Sequence, residues 1–413
     1  MSSKWDNKMS MITILTFLLD NISDCCIFCS GSSLSKHSLE EKTTMLLFDS
    51  YSTTKKTNRI KLFGGLLFSA FLVFAFSSCQ KSSPERISET DFALGTTCSV
   101  QLYGTQYKNK LAPALAIASE IEDKMSAHTE ESEVAKINRK AGEEPVEVSE
   151  ETFKLIARAK EFSAIGNGVF DLTVGPLVEL WDIGSGEETV PSTKDIQAAL
   201  QKVSYKDVEL IENSDKVQSP KVYLQRPGMK IDLGAIAKGY AADRMVEYLK
   251  LQGVEYGIVN LGGNVYAFGE KHNNSVWKIG IQSPEDARGN YLGVVELVDK
   301  AVVTSGKYER YFIEDGVRYH HILDTEDGFP IEKDLASVSI ISADATEADA
   351  LSTLVFGLGL ERGLEFTEQR PGVDSILVTE DNTVFTTSGL RTSFELTDKD
   401  FKRGESRALL NQD

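Results

Sequence analysis

The chain has 413 residues, with 44 Lys and Arg against 62 Asp and Glu and a formal net charge of −18. A hydrophobic fraction of 41% with 9% aromatic residues is typical of a globular protein and excludes an intrinsically disordered chain. The acidic balance argues against nucleic acid as a partner, because binding to a phosphate backbone needs a basic surface. The length suits one large domain or two ordinary ones.

The N-terminal part has the features of a secretory signal. A basic stretch at 55–61 precedes the uncharged apolar run 62–76, and small residues lead from there to Cys79. The run is shorter than the roughly 20 residues of a membrane-spanning helix. The pattern predicts a bacterial lipoprotein signal peptide at 55–78 with lipid on Cys79, although Phe76 stands where a Leu-like residue is usual. A membrane-anchoring helix or a buried core helix is the alternative interpretation.

Residues 1–54 form an N-terminal extension of uncertain status, because a signal normally begins close to its basic region; Met45 is an alternative start. The C-x-x-C pair at 26–29 lies upstream of the predicted cleavage point and has no second pair. After cleavage only Cys98 remains beside the lipidated cysteine, so no internal disulfide is expected. We therefore expect a protein of the bacterial cell envelope, anchored to a membrane by lipid, with its folded domain outside the cytoplasm on the periplasmic side.

The remainder of the chain predicts a polar tether at 79–89 and a folded domain at 90–413. Helical periodicity predicts helices at 111–125, 150–165, within 189–205, 235–251 and 346–357. Strand patterns occur at 90–102, 208–212, 221–225, 230–233, 257–261, 265–269, 277–281, 293–297, 301–305, 308–313 and 337–341. Strands outnumber helices and follow one another directly, which favours an α+β fold with mixed or mostly antiparallel sheets and packed helices.

The segment Lys230–Asp243 combines features that suit a phosphate. A strand is expected to deliver Asp232 to a turn at Gly234, with Lys238 one turn into the following helix. A helix N-terminus offers free N–H groups and a positive dipole end, and the lysine adds a point charge. An ordinary capped helix with a surface lysine explains the same residues equally well.

The paired glycines Gly262 and Gly263 lie between two predicted strands, within Asn260–Asn264. Glycines permit a ligand to approach the backbone closely. A β-bulge or a tight turn is the alternative.

Asp349 and Thr353 are four residues apart on the last predicted helix and therefore share a face. Their carboxylate and hydroxyl oxygens suit a hard cation such as Mg²⁺, which commonly binds together with substrate phosphates. The alternative is helix capping, with Thr346 as N-cap and Asp349 near the third helical position.

His320 and His321 come at a strand end before a turn, within Tyr319–Pro330. A histidine of near-neutral pKa suits proton transfer, and a surface or hydrogen-bonded structural role is the alternative. Signatures of P-loop NTPases, Rossmann dehydrogenases and zinc hydrolases are missing from the sequence.

Taken together and in order, these segments resemble the ApbE family of FAD:protein FMN transferases. The resemblance covers the chain from about residue 90 to its end and implies an ApbE-like architecture related to the T-fold. The matching pieces are Leu94–Thr96, Met125–Ser126 with Ser132 and Asn138, Phe170–Asp171 with Val174–Pro176, Asp232–Gly239, Asn260–Asn264, Thr304–Gly306, His321–Asp324 with Gly328–Pro330, and Glu347–Asp349 with Thr353.

The resemblance implies that FAD binds with its pyrophosphate on Mg²⁺, that a target hydroxyl attacks the FMN-side phosphorus, and that AMP leaves. By the same resemblance, Asp349, Thr353 and the Ala235 carbonyl are metal ligands, and His321 accepts the hydroxyl proton. The positions matched to FAD binding are Leu94, His128, Val169, Phe170, Asp171, Asp232, Lys238, Gly262, Gly263, Ser305 and Leu323. Three positions depart from the usual pattern: Leu94 replaces a Met, His128 a Tyr, and Ser352 an Asp of some relatives.

The implied acceptors are exported or membrane-associated flavoproteins, of the type found as subunits of redox pumps, which take FMN on a threonine or serine through a phosphoester bond. Two other activities stay open at this point. One is a FAD pyrophosphatase that yields FMN and AMP, and the other is a flavin-binding lipoprotein without turnover.

Overall fold

Strands joined by antiparallel pairing dominate the computed structural model, which describes residues 84–212, 219–284 and 289–405. The α-helices of this part are α1 (Lys108–Met125), α2 (Glu133–Arg139), α3 (Glu150–Ile165), α4 (Gly175–Trp181), α5 (Thr193–Leu200), α6 (Ala237–Leu251), α7 (Ala345–Leu358) and α8 (Leu360–Glu368). The strands are β1 (Arg86–Ala93), β2 (Thr96–Tyr103), β3 (Val146–Glu147), β4 (Val208–Ile211), β5 (Lys221–Leu224), β6 (Gly257–Leu261), β7 (Asn264–Phe268), β8 (Trp277–Gln282), β9 (Tyr291–Leu297), β10 (Lys300–Gly306), β11 (Tyr311–Glu314), β12 (Val317–His320), β13 (Leu335–Ser342), β14 (Asp374–Thr379), β15 (Thr383–Thr386), β16 (Phe394–Leu396) and β17 (Lys402–Arg403).

A nine-stranded sheet forms the centre of the fold, in the order β1-β2-β6-β7-β10-β13-β14-β15-β17. Its strands pair antiparallel except for the parallel pair β15–β17. Smaller antiparallel sheets are β11-β12, β16-β9-β8 and β3-β5-β4. The predicted α+β class with mostly antiparallel sheets is confirmed.

Both faces of the large sheet are covered. On one face, residues such as Val259 and Val303 pack against the buried sides of α1, α3, α6 and α7. On the other face, residues such as Val302 and Ile376 pack against the three-stranded sheet β16-β9-β8 through Trp277. Side chains alternate between the two faces along each strand, as a sheet buried on both sides requires.

The periodic helices follow directly from the sequence. In α1, the predicted apolar face is buried throughout: Leu111, Leu115, Ala118, Ile121 and Met125. The N-terminus of α3 is fixed by Ser149, whose hydroxyl accepts a hydrogen bond from the Thr152 N–H at 3.3 Å.

The strand predicted at 90–102 is instead a β-hairpin, since β1 and β2 are separated by Leu94 and Gly95. Both residues have positive φ, 53° and 65°, which a two-residue hairpin turn of this type requires. Leucine seldom adopts this conformation, so the residue type does not signal a turn. Arg86–Glu89, which the sequence places in the tether, form the first half of β1 and pair with β2.

Three further boundaries differ from expectation. The strand predicted at 230–233 is a single bridge between Lys230 and Val174, because the chain turns at once into the helix. That helix begins at Ala237 rather than Ala235. The strand predicted at 308–313 begins at Tyr311, since residues before it form a turn.

The predicted extension 1–54, the signal peptide 55–78 and Cys79 lie outside the described residues. Within the part of the chain that the structure describes, no helix has both the length and the apolar character needed to cross a bilayer.

Cys98 is buried in the core, with its Sγ 3.5 Å from the Ala93 carbonyl oxygen. Burial raises the pKa of its thiol to about 11. Because the thiolate is the reactive species, we expect iodoacetamide at about pH 8 to leave Cys98 unlabelled in the native protein and to label it in guanidinium chloride. Mass spectrometry of the Cys98 peptide measures this, and rapid labelling of the native protein would contradict the buried position.

Candidate functional site

The N-terminal turns of α6 and α7 pack directly against each other. A Cβ atom on Gly239 would lie 2.1 Å from the Ala345 carbonyl oxygen, so only glycine fits at this crossing. Each helix caps the other through a carboxylate. Asp349 of α7 accepts the Gly239 N–H at 2.8 Å, and Asp243 of α6 accepts the Ala345 N–H at 2.9 Å and the Thr346 N–H at 2.8 Å.

Asp349 is buried, and it does not cap its own helix, α7. The N-cap of α7 is Asp344, whose side chain accepts the Glu347 N–H at 2.8 Å. The alternative interpretation with Thr346 as N-cap is wrong, because its hydroxyl donates to Asp243 from within the helix. The second oxygen of Asp349, Oδ1, lies 3.7 Å from the Lys238 ammonium.

The Ala235 carbonyl takes no part in the backbone hydrogen bonds of α6. In a regular helix, the carbonyl of residue 235 would accept the N–H of residue 239. That N–H donates to Asp349 instead, and within the described residues no hydrogen bond reaches the Ala235 oxygen. The structure therefore leaves a backbone oxygen available just before α6, which begins at Ala237.

Hydroxyl groups extend the site from α7 to strand β10. Ser352 Oγ donates to the Asp349 carbonyl at 2.8 Å. Its single proton is then used, so Ser305 Oγ, 2.7 Å away, is the donor to Ser352. Ser305 also lies 3.5 Å from Thr353 Oγ1. The predicted residues Ser305, Asp349 and Thr353 are thus brought together.

The turn before α6 is closed by side chains on both sides. Asp232 Oδ1 accepts the Gly234 N–H at 2.7 Å. Lys238 Nζ donates to the Gly234 carbonyl at 3.0 Å, which places the lysine in the first turn of α6, over the start of the helix. The predicted phosphate segment therefore has its ammonium group close to the Asp349 carboxylate.

A cavity of about 380 Å³ reaches Asp232, the residue at the start of this turn. His128 and Asp232 both line it, together with Asn138, Gly175 and Val178. Asn138 fixes the lining residue Ile231: its Oδ1 accepts the Ile231 N–H at 2.7 Å, and its Nδ2 donates to the Ile231 carbonyl at 2.9 Å. The cavity thus joins two predicted FAD positions that are far apart in the sequence.

The adjacent rings of His320 and His321 have different surroundings. His320 is 3% exposed; its Nδ1 accepts the Ile322 N–H and its Nε2 faces the Ile331 carbonyl at 3.0 Å. Both of its ring nitrogens are therefore engaged, and the ring is structural.

His321 is partly buried, and one of its ring nitrogens has no partner among the described residues. Its Nδ1 lies 3.2 Å from the Arg310 carbonyl, so Nδ1 carries the proton and Nε2 is left as an acceptor. Burial lowers the pKa of His321 to about 4, and the positive charges of Arg310 and Lys238 act in the same direction. The imidazole is neutral at pH 7, as a general base must be.

Two hairpin turns lie side by side next to these residues. The β6–β7 turn is Gly262 and Gly263, and a Cβ on Gly262 would lie 2.2 Å from Thr96 Oγ1, just after the Leu94–Gly95 turn. At Gly263 a Cβ would meet open space. The paired glycines form a tight turn, as the alternative interpretation has it, and the turn places a backbone without side chains next to Thr96.

The other predicted FAD positions lie in the packed interior around the site. Phe170 is buried in the main core, and Val169 packs on Gly357 of α7. Asp171 is buried and fully engaged: its oxygens accept from the Thr173 N–H and hydroxyl and from the Tyr205 N–H.

Leu323 lies in a separate apolar cluster with Leu177 and Trp181. The structure therefore joins Phe170, Asp171 and Leu323 to the scaffold of the site rather than to the group around Asp349, and their contact with FAD stays a prediction.

The donor set around Asp349 consists of oxygens. No cluster of three or more His, Cys, Asp or Glu residues suited to a metal occurs in the described ranges. One carboxylate, one hydroxyl and one free carbonyl remain, a set that fits a hard cation sharing its coordination with substrate phosphates.

No individual role is assigned from the sequence to three residues that hold this site together, Gly239, Asp243 and Arg310. The residue type of Gly239 could have indicated its role, since a glycine inside a helix often marks the close approach of another segment. The residue types of Asp243 and Arg310 give no such indication, because their partners come from α7 and from the β1–β2 turn, 102 and 215 residues away.

Known proteins share the sequence and the fold of this chain. The ApbE family pattern matches residues 94–377. A protein of Klebsiella pneumoniae strain 342 named FAD:protein FMN transferase is 42% identical over 281 residues, 68% of this chain and 85% of that protein. A protein of the same name from Treponema pallidum strain Nichols is 35% identical over 315 residues, 73% of this chain and 87% of that protein.

Solved structures show the same fold. The ApbE protein of Thermotoga maritima aligns with a TM-score of 0.69 and 36% identity, over 76% of this chain and 100% of that one. The flavin transferase ApbE of Vibrio cholerae aligns with a TM-score of 0.66 and 28% identity, over 75% and 99%. By its sequence, its fold and the residues gathered between α6, α7 and β10, this chain belongs to the ApbE family.

Proposed function

We propose that the chain transfers FMN from FAD to a serine or threonine hydroxyl of an acceptor flavoprotein. A new bond forms between the hydroxyl oxygen and the FMN phosphorus, and the bond from that phosphorus to the AMP oxygen breaks. The hydroxyl proton passes to a base, and AMP carries away the electron pair. The relatives named above carry this activity in their names.

The observation that carries the proposal is the free Nε2 of His321. Its neutral state and its fixed tautomer suit it to take the hydroxyl proton. Phosphoryl transfer otherwise depends on positioning and on neutralising charge. Lys238, held over the first turn of α6, supplies a positive charge for the pyrophosphate.

We propose that Mg²⁺ is the metal of this site. Asp349, Thr353 and the Ala235 carbonyl would hold it, since all three offer oxygens and the Ala235 oxygen has no protein donor in the described part. When bound, such an ion neutralises phosphate charge.

We propose that the enzyme works on the outer side of a bacterial membrane, held there by lipid on Cys79. The basic region, the short apolar run and the cysteine at its end support this location. Acceptors in reach would be exported or membrane-associated flavoproteins, such as subunits of redox pumps.

The Cys79→Ser variant tests the anchor. We expect wild-type protein to partition into detergent with an acyl mass on Cys79, and the variant to stay uncleaved or without lipid. Mass spectrometry of the N-terminus reads both, and a wild-type Cys79 without any acyl group would contradict the anchor.

Release of AMP from FAD tests the reaction. We expect the soluble domain with Mg²⁺ to release AMP only when an acceptor protein is added, in amounts equal to the FMN attached. Release without acceptor would indicate a FAD pyrophosphatase, and binding of FAD without release would indicate a carrier.

A further inference from the structure

Arg310 contacts His321, the proposed general base, through its backbone carbonyl. Its carbonyl accepts the His321 N–H at 3.1 Å and also faces Nδ1 of the same residue at 3.2 Å. One carbonyl thus fixes both the position of the His321 backbone and the tautomer of its ring. Arg310 immediately precedes β11, and His321 immediately follows β12, so the hairpin brings the two together.

The side chain of Arg310 reaches the β1–β2 turn. Its Nη2 donates to the Gly95 carbonyl at 3.2 Å, in the turn that carries Leu94. A Cβ on Gly95 would lie 3.3 Å from the same nitrogen. The guanidinium is therefore held at the β1–β2 turn, close enough to His321 for its charge to lower the pKa of the histidine.

The charge of Arg310 has no carboxylate partner among the described residues. Lys238, by comparison, has the Asp349 carboxylate at 3.7 Å. A guanidinium has five N–H donors, and the Gly95 carbonyl uses one of them. The remaining donors suit the oxygens of a phosphate, which arginine often binds in a bidentate manner.

We propose that the Arg310 guanidinium contacts the pyrophosphate of the flavin dinucleotide, while its carbonyl positions His321. This inference rests on FAD as the substrate of the proposed function. As the acceptor oxygen bonds to the phosphorus and the AMP oxygen departs, Arg310 stabilises the charge on the phosphoryl oxygens. A single residue then couples the position of the base to the position of the phosphorus that is attacked.

The test compares the Arg310→Gln variant with wild type, using two flavins that differ in phosphate. Glutamine keeps the backbone carbonyl and loses the charge. Affinities for FAD and for riboflavin, which has no phosphate, are measured by flavin fluorescence in the presence of Mg²⁺. We expect FAD affinity to fall by about 10- to 100-fold and riboflavin affinity to stay unchanged, because only the phosphate contact is lost.

Arg318→Gln is the matched control, because Arg318 belongs to the same hairpin and its guanidinium stacks on Tyr311 at 4.4 Å. We expect this variant to bind both flavins like wild type.

A second readout is the pH profile of transfer. Without the positive charge of Arg310 the pKa of His321 rises, so the decline of the rate on the acid side moves to higher pH in Arg310→Gln. Arg310→Lys keeps the charge and should restore the wild-type profile.

Equal weakening of both flavins by Arg310→Gln would assign Arg310 to holding the Gly95 turn and overturn the inference, as would unchanged binding of both. A wild-type protein that binds FAD without transferring FMN would contradict the proposed function, and the comparison of FAD with riboflavin would still decide the role of Arg310.

Discussion

The His321→Ala variant is expected to bind FAD almost normally and to transfer FMN about 10²–10⁴-fold more slowly, which is the usual contribution of a positioned general base. The reason is the free Nε2 of His321, the site's neutral acceptor for the hydroxyl proton. The measurement is the transfer rate at saturating FAD and acceptor. An unchanged rate would remove His321 from the mechanism.

His272→Ala serves as control, since His272 lies in a turn and contacts its surroundings through its backbone carbonyl; we expect no change in rate. His320→Ala is unsuitable as a control, because that ring is buried and both its nitrogens are bonded, so the variant should lose stability.

The pH dependence of transfer follows from the same pKa. The base acts in its neutral form, and its pKa lies at about 4. The rate should therefore stay level as pH falls from neutral and decline only as pH passes through about 4. A decline centred near the ordinary histidine pKa of about 6.5 would contradict the partly buried, cation-flanked position of His321.

The Asp349→Asn variant is expected to need far more Mg²⁺ for the same transfer rate. Asparagine keeps one oxygen for the Gly239 N–H but removes the negative charge. We expect a loss at least as large as the roughly 10–100-fold typical when groups that support metal ligands are removed. The measurement is the transfer rate against Mg²⁺ concentration.

Asp344→Ala is the matched control on the same helix, since Asp344 is the N-cap of α7. Loss of this cap should lower stability by about 1 kcal/mol and leave the Mg²⁺ curve in place. Thermal melts of both variants separate the two effects. If Asp349→Asn shows only a lower melting temperature, the metal assignment fails.

Much of the architecture could be predicted because it follows from local periodicity. The buried stripe of α1 and the direct succession of β-strands both show in the sequence, and both predicted an α+β fold with antiparallel pairing. The β1–β2 turn was missed because Leu94 adopts a positive φ that its residue type disfavours. Such a conformation persists only where the surrounding structure holds it, here beside the Arg310 guanidinium.

Within the site, the residue types of Asp349, Thr353 and Lys238 suggested oxygen ligation and phosphate binding. Their convergence is tertiary: it depends on the crossing of α6 and α7 at Gly239, where each helix caps the other. The reciprocal capping by Asp243 and Asp349 cannot be seen in the local sequence. Asp243 bonds Ala345, 102 residues away, and Asp349 bonds Gly239, 110 residues away.

This chain is expected to attach FMN covalently to another protein. The most direct measurement incubates the soluble domain with FAD, Mg²⁺ and a candidate exported flavoprotein, and then follows flavin fluorescence in a denaturing gel with the mass of the acceptor. We predict fluorescence that stays with the acceptor after denaturation, one added FMN on a serine or threonine, and loss of both with His321→Ala. FAD consumed to free FMN and AMP, with no flavin on any acceptor, would contradict the account.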